Sequence, residues 1–360
     1  MKMKKHEVYI YFNENEKAYN FLSNYLLKEI NFVKDIFILV DKCTSIYCLP
    51  ILFKNIEFLK KSNIVKIKSG ESEKNIHTCI EICNYLGKMK GSRKSILINL
   101  GGGVITDIGG FVSSIFKRGI RFINIPTTLL AMVDASIGNK TGVNLNSIKN
   151  EIGSFYSPEF LIIDVNFLKT LTNDDIISGM SEMFKHGLIA DNNFWMDMKN
   201  AYKDIKNIMK NQIKLYDLVN KSILIKKKIV DKDPKEIGVR KILNFGHTIG
   251  HALESFFLMK KKKISHGEAI TMGMIYESWI SYKSNGLSIK EYEEIKSVLS
   301  TLYSTKKKIS DSEIEKLFKI MEYDKKNYKN KIQFSLLKNI GKCSYNCEVS
   351  YPLIKESLLN

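Results

Sequence analysis

Several things are scarce or missing in this 360-residue sequence, and each absence removes a class of function. No apolar run reaches the ~18 residues needed to cross a bilayer, and the N-terminus is a short basic patch leading into a strand-like segment. The expectation is a cytoplasmic protein without a membrane role. No internal repeat stands out, which sets aside solenoid architectures. Arginine is nearly absent: against a net charge of +18, the only arginines are Arg93, Arg118, Arg121 and Arg240. The charge is therefore lysine, scattered and without an aromatic-interleaved basic stripe. That pattern reads as solvated surface and argues against nucleic acid, whose recognition favours the bidentate guanidinium. The six cysteines include two pairs at i, i+4, Cys79 with Cys83 and Cys343 with Cys347. Neither pair has further thiols or histidines at ligand spacing, so they read as reduced packing residues.

What is present is concentrated. In NFGHTIGHALE, residues 244–254, His247, His251 and Glu254 follow i, i+4, i+7 spacing and share one predicted helix face. Neutral imidazole is the commonest protein ligand for zinc, so the pattern suits a metal; an amphipathic helix with core histidines explains it equally well. The metal reading gains from His266-Gly267-Glu268 and from SGMSEMFKHG, residues 178–187, where Glu182 and Lys185 lie three apart and His186 follows.

Taken in order, residues 6–12 and 35–41 read as strands around a helical pattern at 16–30, the opening of a βαβ unit. IVKIKSG, residues 64–70, is a third strand ending in Gly70, with a helix from Glu71 to about Met89. SILINLGGG, residues 95–103, is an apolar strand running straight into three glycines and a helical segment. Glycines let a backbone approach a pyrophosphate, and a helix N-terminus adds unpaired N–H groups and a positive dipole. The run is not G-x-G-x-x-G, and glycines in tight turns also serve sterics alone. Residues 121–144 read as a strand, a Pro-Thr-Thr turn and a polar loop around Asp134, Asn139, Lys140 and Asn144. A strand at 160–165 closes this half. Helical periodicity then fills 176–231, 241–258, 266–285, 289–303 and 311–321, with IQFSLL at 332–337 as a hairpin-like exception. The fold expected is an α/β Rossmann-like nucleotide-binding domain, residues 1–170, followed by an all-α metal- and substrate-binding domain, residues 171–360. The chemistry implied is hydride transfer at a metal-held hydroxyl.

GGGVITDIGGF, KRGIRFINIPTTLLAMVDASIGNKTGVN, KNEIGSFYSP, SGMSEMFKHGLI, RKILNFGHTIGHALE and SHGEA, in this order across roughly residues 65–345, resemble the 3-dehydroquinate synthases. In that family 3-deoxy-D-arabino-heptulosonate 7-phosphate is cyclised to 3-dehydroquinate with loss of phosphate, a step of the shikimate route to aromatic amino acids, and NAD is regenerated within each cycle. The resemblance implies a metal, zinc with cobalt as the alternative, held by Glu182, His247 and His266. It moves His251 from ligand to substrate-facing group. Asp41, Ser69, Gly70, Glu71, Lys74, Gly102, Gly103, Val104, Asp107, Thr127, Thr128, Lys140, Lys149, Phe167 and Thr170 match NAD-binding positions. Asp134, Lys140, Asn150, Lys185, Lys226, Arg240, Asn244 and one or both of Lys325 and Lys326 match positions around the substrate and its phosphate and carboxylate, Lys149 among them. Arg118 matches an arginine that reaches the neighbouring subunit's site, so the resemblance also implies a homodimer.

The sequence departs from the family pattern in four places. Asn139 stands where a second glycine is usual before Lys140, Thr106 replaces a glycine, Leu145-Asn146-Ser147-Ile148 replaces a His-Pro-Leu-Gly-like run, and His186 stands where tyrosine is common. These put loop geometry and rate in question rather than the reaction. Three rivals share part of the pattern: another sugar phosphate cyclase, a metal-dependent NAD polyol dehydrogenase, and a non-catalytic descendant. The first keeps the cofactors and changes the product; the second would release NADH.

Overall fold

The computed structural model describes residues 8–14, 16–145, 148–260, 262, 264–303, 309–322 and 332–359. Asn146 and Ser147 of the altered loop, and Lys325 and Lys326, lie outside the described residues. The chain divides into two compact units, Met1–Ile176 and Ile177–Asn360.

The first unit is built on strands β1 (Tyr9–Phe12), β2 (Ile36–Asp41), β3 (Asn63–Ile67), β4 (Ile96–Gly101), β5 (Arg121–Pro126), β6 (Lys140–Leu145), β7 (Ile148–Phe155) and β8 (Phe160–Ile163). Its helices are α1 (Lys17–Glu29), α2 (Lys42–Tyr47), α3 (Leu49–Asn55), α4 (Ile76–Lys88) and α5 (Gly103–Ile115). Six strands form a parallel sheet in the order β1-β8-β5-β4-β2-β3. Strands buried on both faces have no solvent side to make polar, which is why IFILV and ILINL are almost unbroken apolar runs. Phe37, Leu39, Leu97 and Phe122 pack on one face against Ile82 and Leu86 of α4 and Ile105 and Ile108 of α5.

Two local expectations are corrected. The helix read from Glu71 is a short 3-10 turn, Glu71–Glu73; α4 begins at Ile76 because the Asn75 side chain accepts from Thr78 N at 3.0 Å and caps it. The polar loop around Asn139 to Asn144 is an antiparallel hairpin, β6 with β7. Its pattern was illegible because KTGVNL and IKNEIGSF carry too few apolar residues to alternate. The hairpin gains its partners from α5: a Cβ on Gly110 would lie 2.3 Å from Thr141 Cγ2, and the Ser154 hydroxyl donates to Ser114 Oγ at 2.9 Å.

The second unit is mostly helical. It holds most of α6 (Asn173–Ala190), then α7 (Asn192–Lys203), α8 (Ile205–Lys210), α9 (Gln212–Lys232), α10 (His247–Met259), α11 (His266–Ser284), α12 (Ile289–Leu299), α13 (Asp311–Glu322) and α14 (Tyr351–Leu359). One hairpin, β9 (Gln333–Asn339) with β10 (Lys342–Glu348), qualifies the all-α expectation. The long helical stretch at 176–231 is four helices, broken where Asp191 and Asn211 accept from the next turn's N–H groups. Among the described residues no helix is long and apolar enough to cross a membrane.

Candidate active site

In the second unit, small residues bring three helices close enough for their side chains to converge. A Cβ on Gly273 of α11 would sit 2.0 Å from the Gly246 carbonyl, and one on Gly250 would sit 2.8 Å from Ile270 Cδ1, so α10 and α11 approach at backbone distance. Gly267 makes the matching approach to α6, where a Cβ would fall 2.4 Å from Ser178 Cα. The Gly267 N–H donates to Ser178 Oγ at 3.2 Å, and the Thr271 hydroxyl to Ser181 Oγ at 2.9 Å. Gly246 itself turns left-handed at φ 78, a conformation that costs glycine nothing. Glu277, fully buried on α11, accepts from Gly246 N at 2.6 Å and Ile249 N at 3.0 Å. A buried carboxylate thus satisfies the first N–H groups of α10 and complements its dipole.

This packing delivers Glu182 from α6, His247 from the first position of α10 and His266 from the first position of α11 to one place. Their ligand atoms lie within 4.8 Å of one another. His247 Nε2 and His266 Nε2 stand 3.5 and 3.7 Å from the same oxygen, Glu182 Oε1, and Glu182 is fully buried. Two imidazole nitrogens aimed at one carboxylate oxygen, each beyond ordinary hydrogen-bond length, suit a cation held among them; two histidines and a glutamate are a zinc donor set that leaves coordination positions open. His247 Nδ1 is 3.1 Å from the Phe245 carbonyl and His266 Nδ1 is 3.4 Å from Glu254 Oε2. Such outer contacts orient a ligating imidazole and choose its tautomer. Burial opposes a charge on His266, but Glu254 and Glu182 outweigh it and carry its pKa up to about 9. A raised pKa means that a proton competes with a metal for this imidazole.

His251, one turn along α10, has its ring 5.0 Å from that of His247 and 6.2 Å from that of His266, and forms a second ligand-capable trio with Glu254 and His266. Lys185, also buried, pairs with Glu182 Oε2. Lys226 is buried on α9, and Arg240 and Asn244 lie on the turn that runs into α10. That turn is shaped by groups the sequence reading passed over. Asp233 accepts from the N–H groups of Ile237, Gly238 and Arg240; burial alone would raise its pKa, but those donors hold it below the usual carboxylate range. Glu236 accepts from the Asn244 side chain at 2.7 Å, and Arg240 donates to the Pro234 carbonyl at 2.7 Å. An Asp five residues before a glycine was the available signal for this turn.

In the first unit the candidate nucleotide site gathers at the C-terminal ends of β2, β3, β4 and β5. Asp41 caps α2 through a capping box with Thr44, and Ser69 Oγ accepts from Cys43 N at 3.2 Å. Gly70 is left-handed at φ 119. The three glycines after β4 have different reasons. A Cβ on Gly101 would clash with Ile105 at 2.5 Å and one on Gly102 would touch Thr128 at 3.0 Å, whereas Gly103 has ordinary room, 3.4 Å from Ala135. Gly102 is the N-cap of α5 and supplies no side-chain cap; Val104 and Asp107 follow in its first turns. An uncapped helix start lined by glycine suits an anion. Thr127 N donates to the Gly101 carbonyl at 3.0 Å, and Thr128 Oγ1 accepts from Ala131 N at 3.2 Å. Thr106, in place of a glycine, turns its hydroxyl back onto the Gly103 carbonyl at 3.2 Å. Phe167 is fully buried and Thr170 donates to its carbonyl at 2.8 Å.

Lys74, buried, pairs with Asp107 at 2.6 Å and donates to Asn150 Oδ1 at 2.5 Å. Burial pushes the Asp107 carboxyl up, and Lys74 pulls it back. Asp134 sits in a π-helical turn, Ala131–Ala135, after which Lys140 opens β6 and Lys149 and Asn150 lie on β7. Asn139 is left-handed at φ 61, a conformation asparagine tolerates, so the lost glycine is accommodated. Lys117 and the exposed Arg118 are also left-handed, at φ 53 and 67, in a basic turn braced by Arg93 Nε donating to the Lys117 carbonyl. Two consecutive non-glycine residues in that region store backbone strain.

Comparison with known proteins places this geometry. The 3-dehydroquinate synthase N-terminal family matches residues 64–178 and the 3-dehydroquinate synthase C-terminal family residues 179–327. The 3-dehydroquinate synthase of Parabacteroides distasonis is 42% identical over 323 residues, covering 90% of each chain. That of Clostridium tetani is 39% identical over 354 residues, covering 97% of this chain and 90% of its own. Among solved structures, 2-epi-5-epi-valiolone synthase from Streptomyces hygroscopicus subsp. jinggangensis, with NAD+ and Zn2+ bound, superposes with a TM-score of 0.85 over 100% of this chain and 98% of its own at 22% identity, a likeness of fold. A 2-deoxy-scyllo-inosose synthase complexed with carbaglucose-6-phosphate, NAD+ and Co2+ superposes at 0.80 with 25% identity, covering 97% and 96% of the two chains.

Proposed function

Because the chain belongs to the 3-dehydroquinate synthase family, we propose that it converts 3-deoxy-D-arabino-heptulosonate 7-phosphate to 3-dehydroquinate and phosphate, as an NAD- and divalent-metal-dependent lyase. The observation that carries the reading is the buried convergence of Glu182, His247 and His266. When bound, the metal supplies Lewis acidity at a substrate hydroxyl and NAD accepts and returns a hydride. Glu182 and the two imidazoles hold the cation; Phe245 O and Glu254 keep the rings aimed. His251, beside the trio but outside it, is placed to relay a proton or to contact the phosphate. Lys185 is held by Glu182 at the metal, and Lys226, Arg240 and Asn244 provide donors for the substrate's anionic groups. Nucleotide binding belongs to residues 1–170 and metal binding to 171–360; the substrate positions implied by the resemblance include Asp134, Lys140, Lys149 and Asn150 of the first segment as well as Lys226, Arg240 and Asn244 of the second. The six cysteines are free, which suits the reducing cytoplasm, where we place the protein.

Purified protein given the heptulosonate phosphate and trace NAD should release phosphate and 3-dehydroquinate without accumulating NADH, and a chelator should stop it. A stoichiometric rise in NADH would support a polyol dehydrogenase instead; phosphate release with a different carbocycle would support another sugar phosphate cyclase.

We further propose a twofold dimer in which Arg118 serves the partner's site. Its exposure and its strained turn support a group held ready for an external anion. Arg118→Ala and Lys140→Ala should each be nearly inactive alone. Random co-assembly makes about half the dimers mixed, each with one complete site, so activity should recover to roughly a quarter of wild type. Verified subunit exchange without recovery would assign Arg118 to its own chain.

A further inference from the structure

One side chain in the first unit touches both the loop proposed to hold NAD and the hairpin proposed to hold substrate, and the resemblance gave it no role. Asn144, half-buried near the end of β6, donates its backbone N–H to the Lys74 carbonyl at 2.9 Å and pairs with Asn75 in a one-residue parallel bridge. Its side-chain amide nitrogen donates to Glu71 Oε1 at 2.9 Å. Its side-chain oxygen accepts from Asn150 N at 2.9 Å. Only one orientation of the amide serves both: the nitrogen must face the carboxylate and the oxygen must face the peptide N–H. Asn150 is left-handed at φ 54, and its own side-chain oxygen takes the Lys74 ammonium. Lys74 in turn holds Asp107 on α5. Residues 70–75 and the hairpin therefore share one closed hydrogen-bond circuit, to which α5 is attached through Lys74 and Asp107, and Asn144 joins the loop to the hairpin from both its backbone and its side chain.

We infer that Asn144 is a positioning residue for both the nucleotide loop and the substrate hairpin: its side-chain nitrogen sets Glu71 for NAD, and its side-chain oxygen sets Asn150 and the neighbouring Lys149 for the sugar phosphate. The physical reason is the small number of alternatives. A two-stranded hairpin with a polar pattern has little core of its own, so its register relative to the loop depends on specific hydrogen bonds. Loss of a bond to a charged group then frees the partner as well as removing a contact. This rests on the reaction proposed above.

The test uses the full-length, metal-loaded protein, with NAD affinity measured by calorimetry and substrate KM and kcat by phosphate release. Asn144→Ala should weaken NAD binding and raise substrate KM, each by about 5- to 10-fold, with the melting temperature nearly unchanged. Asn144→Asp keeps the acceptor for Asn150 but sets a second carboxylate against Glu71, so it should weaken NAD binding while leaving substrate KM close to wild type. In a Glu71→Ala background, adding Asn144→Ala should not weaken NAD further yet should still raise KM, because the two arms are separate. The inference is overturned if Asn144→Ala leaves both constants within about twofold, or if it lowers kcat and melting temperature together without moving either constant, the pattern of a purely structural defect. Wild-type protein that neither binds NAD nor releases phosphate would sink the reaction itself, and this inference with it.

Discussion

The two units build their candidate sites by opposite means. The first presents mostly backbone: a helix start without a side-chain cap at Gly102, a left-handed Gly70, and a hairpin held by amide hydrogen bonds. The second presents charged side chains taken out of water, with Glu182, Lys185 and Glu277 all but fully buried. The difference follows from the ligands. A pyrophosphate is met by many weak N–H donors and needs close backbone approach. A divalent cation needs a few strong donors held rigidly, and burying those donors is tolerable only when each has a fixed partner. Cofactor binding at the glycine loop should therefore be sensitive to added atoms, and metal binding at Glu182, His247 and His266 to lost ones.

The largest effect should come from deleting donors. Glu182→Ala, His247→Ala and His266→Ala should each lose metal, read by elemental analysis, and activity by about 10^3-fold or more, the equivalent of several kcal/mol of transition-state stabilisation. His251→Ala should lose rate and keep its metal. Full metal content in any of the three ligand variants would break the contrast.

A single methyl sharpens it next. Gly273→Ala places a Cβ 2.0 Å from the Gly246 carbonyl and must push α10 from α11, so it should cost about 1–3 kcal/mol of stability in thermal or urea unfolding. Gly103→Ala meets only ordinary contact, at 3.4 Å, and should leave stability alone while weakening NAD. The same substitution thus reports fold in one unit and cofactor in the other.

Asn139→Gly should change turnover by less than twofold, because Asn139 already occupies the left-handed region comfortably. Asn139→Ala, without a side chain that tolerates it, should cost roughly 1–2 kcal/mol. A several-fold gain in turnover from glycine would mean that the altered loop is strained after all.

The smallest effect concerns a surface charge in the second unit. Lys260 first, and then the Ser310 backbone N–H and hydroxyl, hold the Glu313 carboxyl down at about 2, against an ordinary value of 4.5. A depressed carboxylate stabilises the fold above pH 4.5, and that contribution is lost as pH falls towards about 2. The group is near the surface, so the amount should stay below about 1 kcal/mol. Melting curves at pH 7 and pH 3 should differ slightly less for Glu313→Gln than for wild type. An equal or larger difference would remove Glu313 from the acid limb.

The parallel sheet was legible because doubly buried strands must be apolar throughout, and IFILV and ILINL are. The helix carrying His247, His251 and Glu254 was legible from its period. The β6–β7 hairpin was not, since its stability comes from α5 and the loop at 70–75 rather than from its own pattern. Period alone also offered His251 as a metal ligand. The trio drawn together around Glu182 Oε1 instead takes His266 from α11, a residue no local pattern could link to α10.

By itself, then, the sequence determined which residue types were available and which helix faces they shared, because side-chain direction on a helix follows spacing. It also determined the family, because six motifs at the right intervals are jointly specific. Tertiary structure alone decided that Gly246, Gly250, Gly267 and Gly273 were close-approach points, and therefore that Glu182, His247 and His266 meet. It alone joined Asn144 to Glu71 and Asn150, 73 and 6 residues away. The reason is physical: a convergence of donors depends on the distance between helix axes and on which N–H each polar group must satisfy. Both are properties of packed elements, and neither is written in the spacing of one.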